Sequence, residues 1–538
     1  MRSKVLLLTL VLGATAFSST YAQQRYLSEV FTDAQITVTS NVVYARNHQF
    51  FPPTTTFPVD SLRMRVYQPA QAADANTARP IMVYIHTGNF LPPIINGGIG
   101  GSISDSAAVN LCRQWAKRGY VVLAPSYRLG WNPLATSELE RRVQLLNAVY
   151  RAINDIKASV RYIRKTAAVD GNPFRVDPTK VVLYGQGSGG YVALAYATLD
   201  KHAEMAIPGK FTLPNGNSMI DTNIVGNIDG FGGVLNVSNW AGYSSEVSLC
   251  INAGGALADS SWLEAGDVPM ISFHAVRDPF APYGNGTVIV PTTNENVVDV
   301  SGAGVVIAKA NALGNQVNLD AALYSDPISA AARVWYNQTI DYIYPAPFNT
   351  INVGGGEGLF PIVRPIRNQI SVFANEGDPW TWWDSTTLTL VVAGVNAQTG
   401  GTYNAQLLHG QGLASNPGMG AIKGRTFIDT IQRYIHPRIV NVLVLPGNNV
   451  SVQEVAREQV RVNVYPNPAT DYLTIRALGE NDRIRSIEVI DVIGKHVRVE
   501  NNILESSYSL NRESLPAGMY FIRVSTDKGQ ATHKVTFR

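Results

Sequence analysis

The sequence predicts a doubly wound α/β core with a mostly parallel sheet, followed by a small all-β sandwich. Short, continuous apolar runs at residues 81–85 and 121–124 are typical of strands buried on both faces of a parallel sheet. Helical periodicity lies between such runs, as in residues 105–118. After about residue 459, short strands separated by turn residues replace this alternation, which is typical of a sandwich.

Each element of the predicted core has its own pattern. Residues 36–38, 41–44 and 62–67 alternate apolar and polar side chains, as half-buried strands do. Further strands are predicted at residues 81–85, 121–124, 181–184, 248–253, 268–273 and 318–323. Helices are predicted at residues 105–118, 138–165, 191–199, 304–313 and 422–435, the last ending before Pro437. Residues 345–379, rich in Gly, Pro and Asn, are predicted to form loops over the sheet.

Composition limits the classes of protein to which this chain can belong. A length of 538 residues predicts two or more domains, and 45% hydrophobic with 15% charged residues is typical of a globular protein. A net charge of +3 is too small to indicate nucleic acid as a partner. Neither the spacing of potential ligands nor any phosphate-binding motif indicates a metal or another cofactor.

The first 22 residues have the pattern of a signal peptide. Arg2 and Lys4 precede an apolar stretch at residues 5–12, and Ala22 closes a small-x-small cleavage site. The stretch is too short to span a bilayer, and no later segment resembles a transmembrane run. We therefore expect a mature chain without a transmembrane segment, exported at least to the periplasm.

The rest of the chain divides by texture into an α/β domain, a linker and a sandwich. The α/β domain is predicted at residues 23–446, the polar linker at 447–459 and the sandwich at 460–538. Cys112 and Cys250 are the only cysteines. They are predicted to form one disulfide in an oxidising compartment or to remain two buried thiols, in a helix and a strand.

Three motifs in the last segment carry a family resemblance. They are Val-Tyr-Pro-Asn-Pro-Ala-Thr-Asp at 464–471, Ile-Asp-Val-Ile-Gly-Lys at 490–495 and Leu-Pro-Ala-Gly-Met-Tyr at 515–520. In this order they resemble the C-terminal sorting domain of the type IX secretion system. The resemblance implies that residues 460–538 engage that machinery, and that the protein is released or attached at the cell surface. A carbohydrate-binding or immunoglobulin-like accessory sandwich is the alternative.

A second resemblance covers residues 60–440. Ile-His-Thr-Gly-Asn-Phe at 85–90, Ser-Tyr-Arg-Leu at 126–129, the glycine-rich turn at 185–190 and the loop from His274 to Asp278 follow one another in order. Together they resemble the α/β-hydrolase fold, in its carboxylesterase and hormone-sensitive-lipase-like branch. The resemblance implies oxyanion-hole donors at Gly88 and Asn89, and Asp278 as the acid that orients a catalytic histidine. Arg277 offers a structural ion pair as the other role for Asp278.

The nucleophile elbow of this fold has the pattern Gly-x-Ser-x-Gly, with small residues where strand and helix nearly touch. Placing the nucleophile at Ser188 would put the long side chain of Gln186 at a small position. Placing it one residue earlier puts Gly185 and Gly189 at both small positions. The nucleophile position is then held by Gly187, and we expect Ser188 to turn toward the start of the helix and cap its N–H groups.

The catalytic histidine is also replaced in this interpretation. The turn expected to carry it contains Glu357, and His409 is the remaining candidate before the last helix. The leading hypothesis is an exported, esterase-like protein with an eroded triad, weakly active or binding a small-molecule or glycan ligand, with Trp380, Trp382 and Trp383 as stacking surfaces or core. An active carboxylesterase using Ser188, Asp278 and His409 is the alternative. A third hypothesis is acid/base chemistry by Glu357 and Asp278.

Overall fold

The computed structural model describes residues 25–50, 56–93, 95–96, 98, 100–290, 295–320, 323–342, 349–365, 375–446, 462–478, 482–491, 495–527 and 529–538. Its contacts divide the chain into two units, Met1–Leu445 and Pro446–Arg538. The predicted signal peptide, residues 1–22, and the predicted linker, residues 447–459, lie outside the described residues.

The first unit is built around one large sheet. Its described strands are, in chain order, β1 (Ile36–His48), β2 (Val59–Pro69), β3 (Arg79–Ile85), β4 (Val121–Pro125), β5 (Val176–Gln186), β6 (Leu249–Ala253), β7 (Met270–Ala275), β8 (Asn285–Ile289), β9 (Asn296–Ser301), β10 (Thr339–Tyr342), β11 (Asn349–Asn352) and β12 (Leu359–Ile362). Eight of them form the sheet, in the order β1-β2-β4-β3-β5-β6-β7-β12. Pairing is parallel from β4 to β12, and β2 is antiparallel to both of its neighbours.

Helices cover both faces of this sheet. The described α-helices are α1 (Ser106–Lys117), α2 (Glu138–Val169), α3 (Ser188–Thr198), α4 (Thr222–Val225), α5 (Ala303–Ala312), α6 (Pro327–Arg333), α7 (Ser385–Thr399), α8 (Ala405–Ser415) and α9 (Ala421–Val442). Alternate residues of β3 enter different cores: Val83 packs with residues of α2 and α3, and Met82 packs with residues of α1 and α9. The prediction of a doubly wound, mostly parallel α/β fold is confirmed.

Some predicted elements differ from the structure. Residues 36–44 form one strand with an irregular register between Thr39 and Val42, instead of two strands. The predicted strand at 318–323 is wrong, since Val317–Leu319 forms a 3-10 turn. The last helix does not end before Pro437, which lies inside α9. Arg438, Ile439 and Val440 are buried beyond it, and this packing compensates for the hydrogen bond that proline cannot donate.

The second unit consists of antiparallel strands around its own apolar core. These are β13 (Val462–Tyr465), β14 (Tyr472–Ala477), β15 (Ile484–Asp491), β16 (His496–Glu505), β17 (Ser507–Asn511), β18 (Gly518–Thr526) and β19 (Gly529–Phe537). They form two sheets, ordered β13-β14-β17 and β16-β15-β18-β19. The predicted all-β segment is confirmed.

Two further predictions concern the cysteines and the membrane. Cys112 in α1 and Cys250 in β6 are both buried and free, so the alternative of two thiols holds. Burial raises the pKa of both thiols, which leaves them protonated and unreactive. In the described part of the chain, every helix is too short or too polar to cross a bilayer.

Candidate functional site

The turn between β5 and α3 has the conformation of a nucleophile elbow, and a glycine stands at its apex. Gly187 has φ 53° and ψ −120°, and α3 begins at the next residue. A residue with a side chain is strained in this region of backbone space, whereas glycine enters it at little cost. The apex of the elbow therefore carries no side chain that could attack a substrate.

Close packing on either side of the apex explains the neighbouring glycines. A Cβ on Gly185 would lie 2.0 Å from the carbonyl oxygen of Gly189, and a Cβ on Gly189 would lie 2.1 Å from the carbonyl oxygen of Ile85. Both contacts are with backbone, which cannot move aside. Gln186 is accommodated because it points to the other side of the strand, where the Tyr84 hydroxyl donates to its Oε1 at 2.8 Å.

The space above Gly187 is filled by a residue of a different loop. A Cβ on Gly187 would lie 2.2 Å from Thr87 Oγ1 and 3.0 Å from Thr87 Cβ. Thr87 belongs to the segment after β3 in which the family resemblance places a glycine. The threonine side chain thus occupies the volume that a nucleophile at residue 187 would need. The sequence shows both substitutions, but only the fold shows that they compensate each other.

Ser188 is engaged with the predicted oxyanion loop. The backbone N–H of Asn89 donates to Ser188 Oγ at 3.1 Å. The expectation that Ser188 caps the helix is wrong, because α3 begins after Gly187 without a side-chain cap. Of the two predicted oxyanion donors, Asn89 N–H is therefore already bonded to the serine. Gly88 has φ 126° and touches the backbone of Gly101, which explains why glycine is kept there.

Asp278 lies in the loop after β7, at the carboxyl edge of the sheet. Its Oδ1 accepts from the backbone N–H groups of Phe280 at 2.8 Å and Ala281 at 3.0 Å. Burial raises the pKa of Asp278 to about 7, and the nearby Asp378 carboxyl adds to this shift. The alternative ion pair with Arg277 does not form, since that guanidinium donates to the carbonyl oxygens of Asp341 and Arg364.

One histidine lies near Asp278, but it belongs to β7 itself. His274 Nε2 is 3.7 Å from Asp278 Oδ2 and donates at 3.0 Å to the carbonyl oxygen of Ala281. Burial lowers the pKa of His274 to about 4, so it is neutral at physiological pH. With that nitrogen protonated and bonded to a carbonyl, the imidazole is held as part of the loop structure.

Glu357 does not occupy the place of the catalytic histidine. It precedes β12, at the amino edge of the parallel sheet, whereas Asp278 and the elbow lie at the carboxyl edge. Its carboxylate pairs with Arg438 at 2.6 Å and Arg333 at 3.3 Å. The placement is corrected because β12, rather than residues 318–323, is the strand that precedes the histidine loop. The third hypothesis, a Glu357–Asp278 acid/base pair, has no support in this geometry.

The loop after β12 brings a different acid to the site. A Cβ on Gly377 would lie 3.0 Å from Asp278 Cγ, so this loop crosses directly over the carboxyl group. The next residue, Asp378, accepts a hydrogen bond at 2.7 Å from the Thr381 hydroxyl. Burial raises the pKa of Asp378 to about 6. The sequence analysis placed this segment among loops and did not single out Asp378.

His409 is not brought to the serine or to Asp278. It lies half-buried on α8, and its Nδ1 has no hydrogen-bond partner among the described residues. Its neighbours Leu408 and Gln411 line a cavity above the elbow, which is described next, but His409 itself does not. Within the described part of the chain, no hydrogen bond connects His409 with either of the other proposed triad members.

A cavity of about 770 Å³ opens above the elbow. Its polar end contains Gly187, Ser188, Asp278, Asp378 and Thr381. Its apolar walls come from the hairpin β8–β9 and the helices α2 and α3, with Leu146, Val149, Ile153, Leu199, Val288, Val298 and Val300. Such a volume suits a drug-sized organic molecule. Among the described residues, no group of three or more His, Cys, Asp or Glu side chains could hold a metal ion.

The tryptophans divide between core and cavity. Trp380 is fully buried and Trp382 nearly so, with Trp382 packed against Gly424 of α9. Trp383 lines the cavity. Only the last of the three therefore remains a candidate surface for stacking on a ligand.

Comparisons with known proteins agree with this architecture. Residues 64–289 match the BD-FAE family, and residues 463–538 match the secretion system C-terminal sorting domain. No curated protein matches the chain. Among solved structures, a thermophilic esterase of the Planctomycetes species Thermogutta terrifontis with bound propionate is 18% identical, covering 47% of this chain and 76% of its own, with a TM-score of 0.28. Its butyrate-bound form is 17% identical over 48% and 78%, with a TM-score of 0.28. The chain thus contains a region similar to the BD-FAE family within its mostly parallel α/β unit, and a C-terminal region similar to the sorting domain.

Proposed function

We propose that this is an exported protein that uses the α/β-hydrolase fold to bind a small organic ligand and has lost serine-dependent ester hydrolysis. The observation that carries the proposal is the pair at the elbow, in which Gly187 holds the apex conformation and Thr87 fills the space above it. Catalysis by this fold needs a nucleophile at that apex. The cavity above it remains large enough for a ligand.

The state of Ser188 supports the loss of hydrolysis. A serine hydroxyl becomes a nucleophile when an adjacent base accepts its proton, and serine and base act as one unit. Ser188 Oγ instead accepts a hydrogen bond from Asn89 N–H, one of the donors that would stabilise an oxyanion. The Asn89 N–H is therefore engaged by the serine oxygen.

Export is supported by the tail. Residues 463–538 match a sorting domain, which implies interaction with the secretion machinery. The signal peptide at residues 1–22 and attachment at the cell surface complete the proposed route. The ligand is therefore expected to be met outside the cytoplasm.

Labelling with a fluorophosphonate, together with hydrolysis of p-nitrophenyl esters, tests the loss of serine chemistry. We expect neither labelling nor turnover above background for the wild type, and no change in Ser188→Ala. Ser159→Ala is the control, because Ser159 is also buried but bonds to the carbonyl oxygen of Ile156, within α2. Labelling that disappears in Ser188→Ala and persists in Ser159→Ala would contradict the proposal and favour an active esterase. His409→Ala would then show whether that histidine is its base.

A further inference from the structure

The charge of the cavity indicates which class of ligand it takes. Among the described residues that line it, Asp278 and Asp378 are the only ones with a charged side chain, and Lys, Arg and His are absent. The rest of the lining is apolar, aromatic or neutral polar. A cavity with acids and without cations favours a cationic ligand over an anionic one.

The hydrogen bonding of Asp278 leaves one oxygen for that ligand. Its side chain is 6% exposed, and both backbone donors go to Oδ1. Among the described residues, Oδ2 receives no hydrogen bond, since the proton of His274 Nε2 goes to the Ala281 carbonyl. Asp278 Oδ2 therefore faces the cavity as an acceptor, and an ammonium group from a ligand would form a charge-assisted hydrogen bond with it.

Lys423, a cation whose charge acts on Asp378, is already engaged by other residues. Lys423 on α9 donates to Asn416 and to the carbonyl oxygen of Pro417, and lies 3.2 Å from a carboxylate oxygen of Glu376. Its charge lowers the pKa of Asp378, yet burial outweighs this effect and the net shift is upward. Among the described residues that line the cavity, no cation thus accompanies the two acids.

We propose that the cavity binds a cationic amphiphile, with its nitrogen against Asp278 and Asp378 and its apolar part between the hairpin β8–β9 and helix α2. Val288 and Val298 of the hairpin and Leu146 and Ile153 of α2 all line this cavity. Tyr191 and Trp383 add aromatic rings to the wall, and ring faces attract cations. This inference rests on the proposed function, since it names the ligand class for the same cavity.

Calorimetric titration of the full mature chain with three probes of equal chain length tests the inference. The probes are octylammonium, octanol and octanoate, at concentrations below micelle formation and at pH 8. We expect the cation to bind about tenfold or more tightly than octanol, which corresponds to ~1.4 kcal/mol, and octanoate to bind most weakly. Equal binding of the cation and octanol, or tighter binding of octanoate, would overturn the proposal.

Substitutions of the two cavity acids test whether they are the groups that bind the cation. In Asp278→Asn and Asp378→Asn we expect the preference for the cation to fall to about twofold or less, with octanol binding unchanged, because only the charge is removed. Asp429→Asn is the matched control, since Asp429 is an exposed acid on α9 that accepts from Gln114 at 3.0 Å. A preference that persists in both cavity variants would place the cation elsewhere and overturn the assignment.

Acid pH gives the same test without a mutation. The groups that face the two acids are His274, Tyr191, Lys423 and Asp105. Burial lowers the pKa of His274 to about 4 and raises that of Tyr191, so both remain neutral between pH 5 and pH 8. Burial also raises the pKa of Asp105, so any protonation of Asp105 at acid pH acts in the same direction as that of the two cavity acids. With the pKa of Asp278 raised to about 7 and that of Asp378 to about 6, we expect the cation's advantage over octanol to disappear at pH 5.

The two proposals fail separately. If the cation shows no advantage while fluorophosphonate labelling stays absent, the ligand class is wrong and the non-hydrolytic function stands. If Ser188-dependent labelling is found, the proposed function is wrong, whichever probe binds.

Discussion

Thr87 and Gly187 show, at the scale of single residues, how the elbow keeps its shape without a nucleophile. The backbone of Gly187 retains φ 53° and ψ −120°, while the volume above it belongs to a threonine from the loop after β3. A side chain at residue 187 alone would clash with Thr87, and a glycine at residue 87 alone would leave a void above Gly187. The pair therefore has to be considered together.

Gly187→Ser is expected to destabilise the first unit by about 2–4 kcal/mol, through backbone strain at positive φ and overlap with Thr87 Oγ1. In the background of Thr87→Gly the overlap is removed, so the added cost of Gly187→Ser should fall by about 1–3 kcal/mol. Urea denaturation of the two single variants and the double variant measures this coupling.

Gly171→Ser is the control for that cycle, because Gly171 has φ 75° and a Cβ there would meet no atom within 4 Å. It should cost only the strain and show no coupling to Thr87→Gly. If Gly187→Ser costs no more than Gly171→Ser, Thr87 does not fill the nucleophile's space.

Asp278 makes the stability of the first unit depend on pH. The pKa of this carboxyl is raised to about 7 from an ordinary value of 3.8, because burial disfavours its charge. The folded state therefore binds a proton that the unfolded state has lost, and this contribution is fully present below about pH 4 and is lost as the pH rises through 7. Asp278→Asn should remove this pH-dependent contribution to stability, because asparagine does not titrate.

Relative to the wild type, we expect Asp278→Asn to gain about 2–4 kcal/mol of unfolding free energy between pH 4 and pH 8, since one pKa unit corresponds to ~1.4 kcal/mol. Denaturant unfolding at both pH values measures the difference. An equal effect of the substitution at pH 4 and pH 8 would show that the carboxyl is not buried as described. Asp429→Asn, an exposed acid, should show little change with pH.

Residue spacing predicted part of this site and missed the rest. The two glycines at 185 and 189 were enough to place Gly187 at the apex, because close strand–helix contact permits only small residues there. The contact of Thr87 with that apex joins residues 100 positions apart, which spacing alone cannot reveal. Asp378 was missed for the same reason, since its role depends on a loop that crosses over Asp278.

At the scale of elements, the strand predicted at residues 318–323 in place of β12 assigned the histidine position to Glu357, at the wrong edge of the sheet. β12 has only four residues, including Pro361, and its apolar pattern is too short to stand out. A proline is tolerated there because β12 is the last strand of the sheet, with β7 as its one neighbour in the described sheet order. The helices α7 and α8 were missed because they lack an amphipathic pattern, with Leu390 and Leu407 exposed.

Glu357 is expected to support the attachment of β12 to α9 and to have no part in chemistry. Its partner Arg438 is buried and also bonds to Ser329 and the carbonyl oxygen of Tyr434. Glu357→Gln leaves a buried guanidinium without a counter-charge, so we expect a loss of about 3 kcal/mol in unfolding free energy, measured by denaturation.

Glu264→Gln is the matched control, because Glu264 pairs with Lys201 where both side chains are about half exposed. An exposed pair contributes about 0–1 kcal/mol. Similar costs for both substitutions would mean that the Glu357 pair is not buried, and a change in ligand binding by Glu357→Gln in a folded variant would reopen its role at the cavity.

At the scale of the whole molecule, the change of texture along the sequence corresponds to two separate sets of contacts. The cavity residues all lie in the unit Met1–Leu445, and the sorting-domain match lies in the unit Pro446–Arg538. The three tail motifs fixed the nature of the second unit because each is a turn or strand start with its own proline or glycine. No comparable motif indicates the ligand of the first unit, because the apolar residues that line its cavity follow no recognisable sequence pattern.

Removing residues 447–538 is therefore expected to abolish export while leaving the first unit intact. The two units have separate hydrophobic cores, so the melting temperature of the truncated chain should stay within about 3 °C of the value for the first unit in the full chain. Calorimetry and cation binding of the purified truncated protein measure stability and function. Fractionation of a host that carries a type IX secretion system measures export. Export without the tail would contradict its role as a sorting signal, and loss of cation binding on truncation would show that the first unit depends on the second.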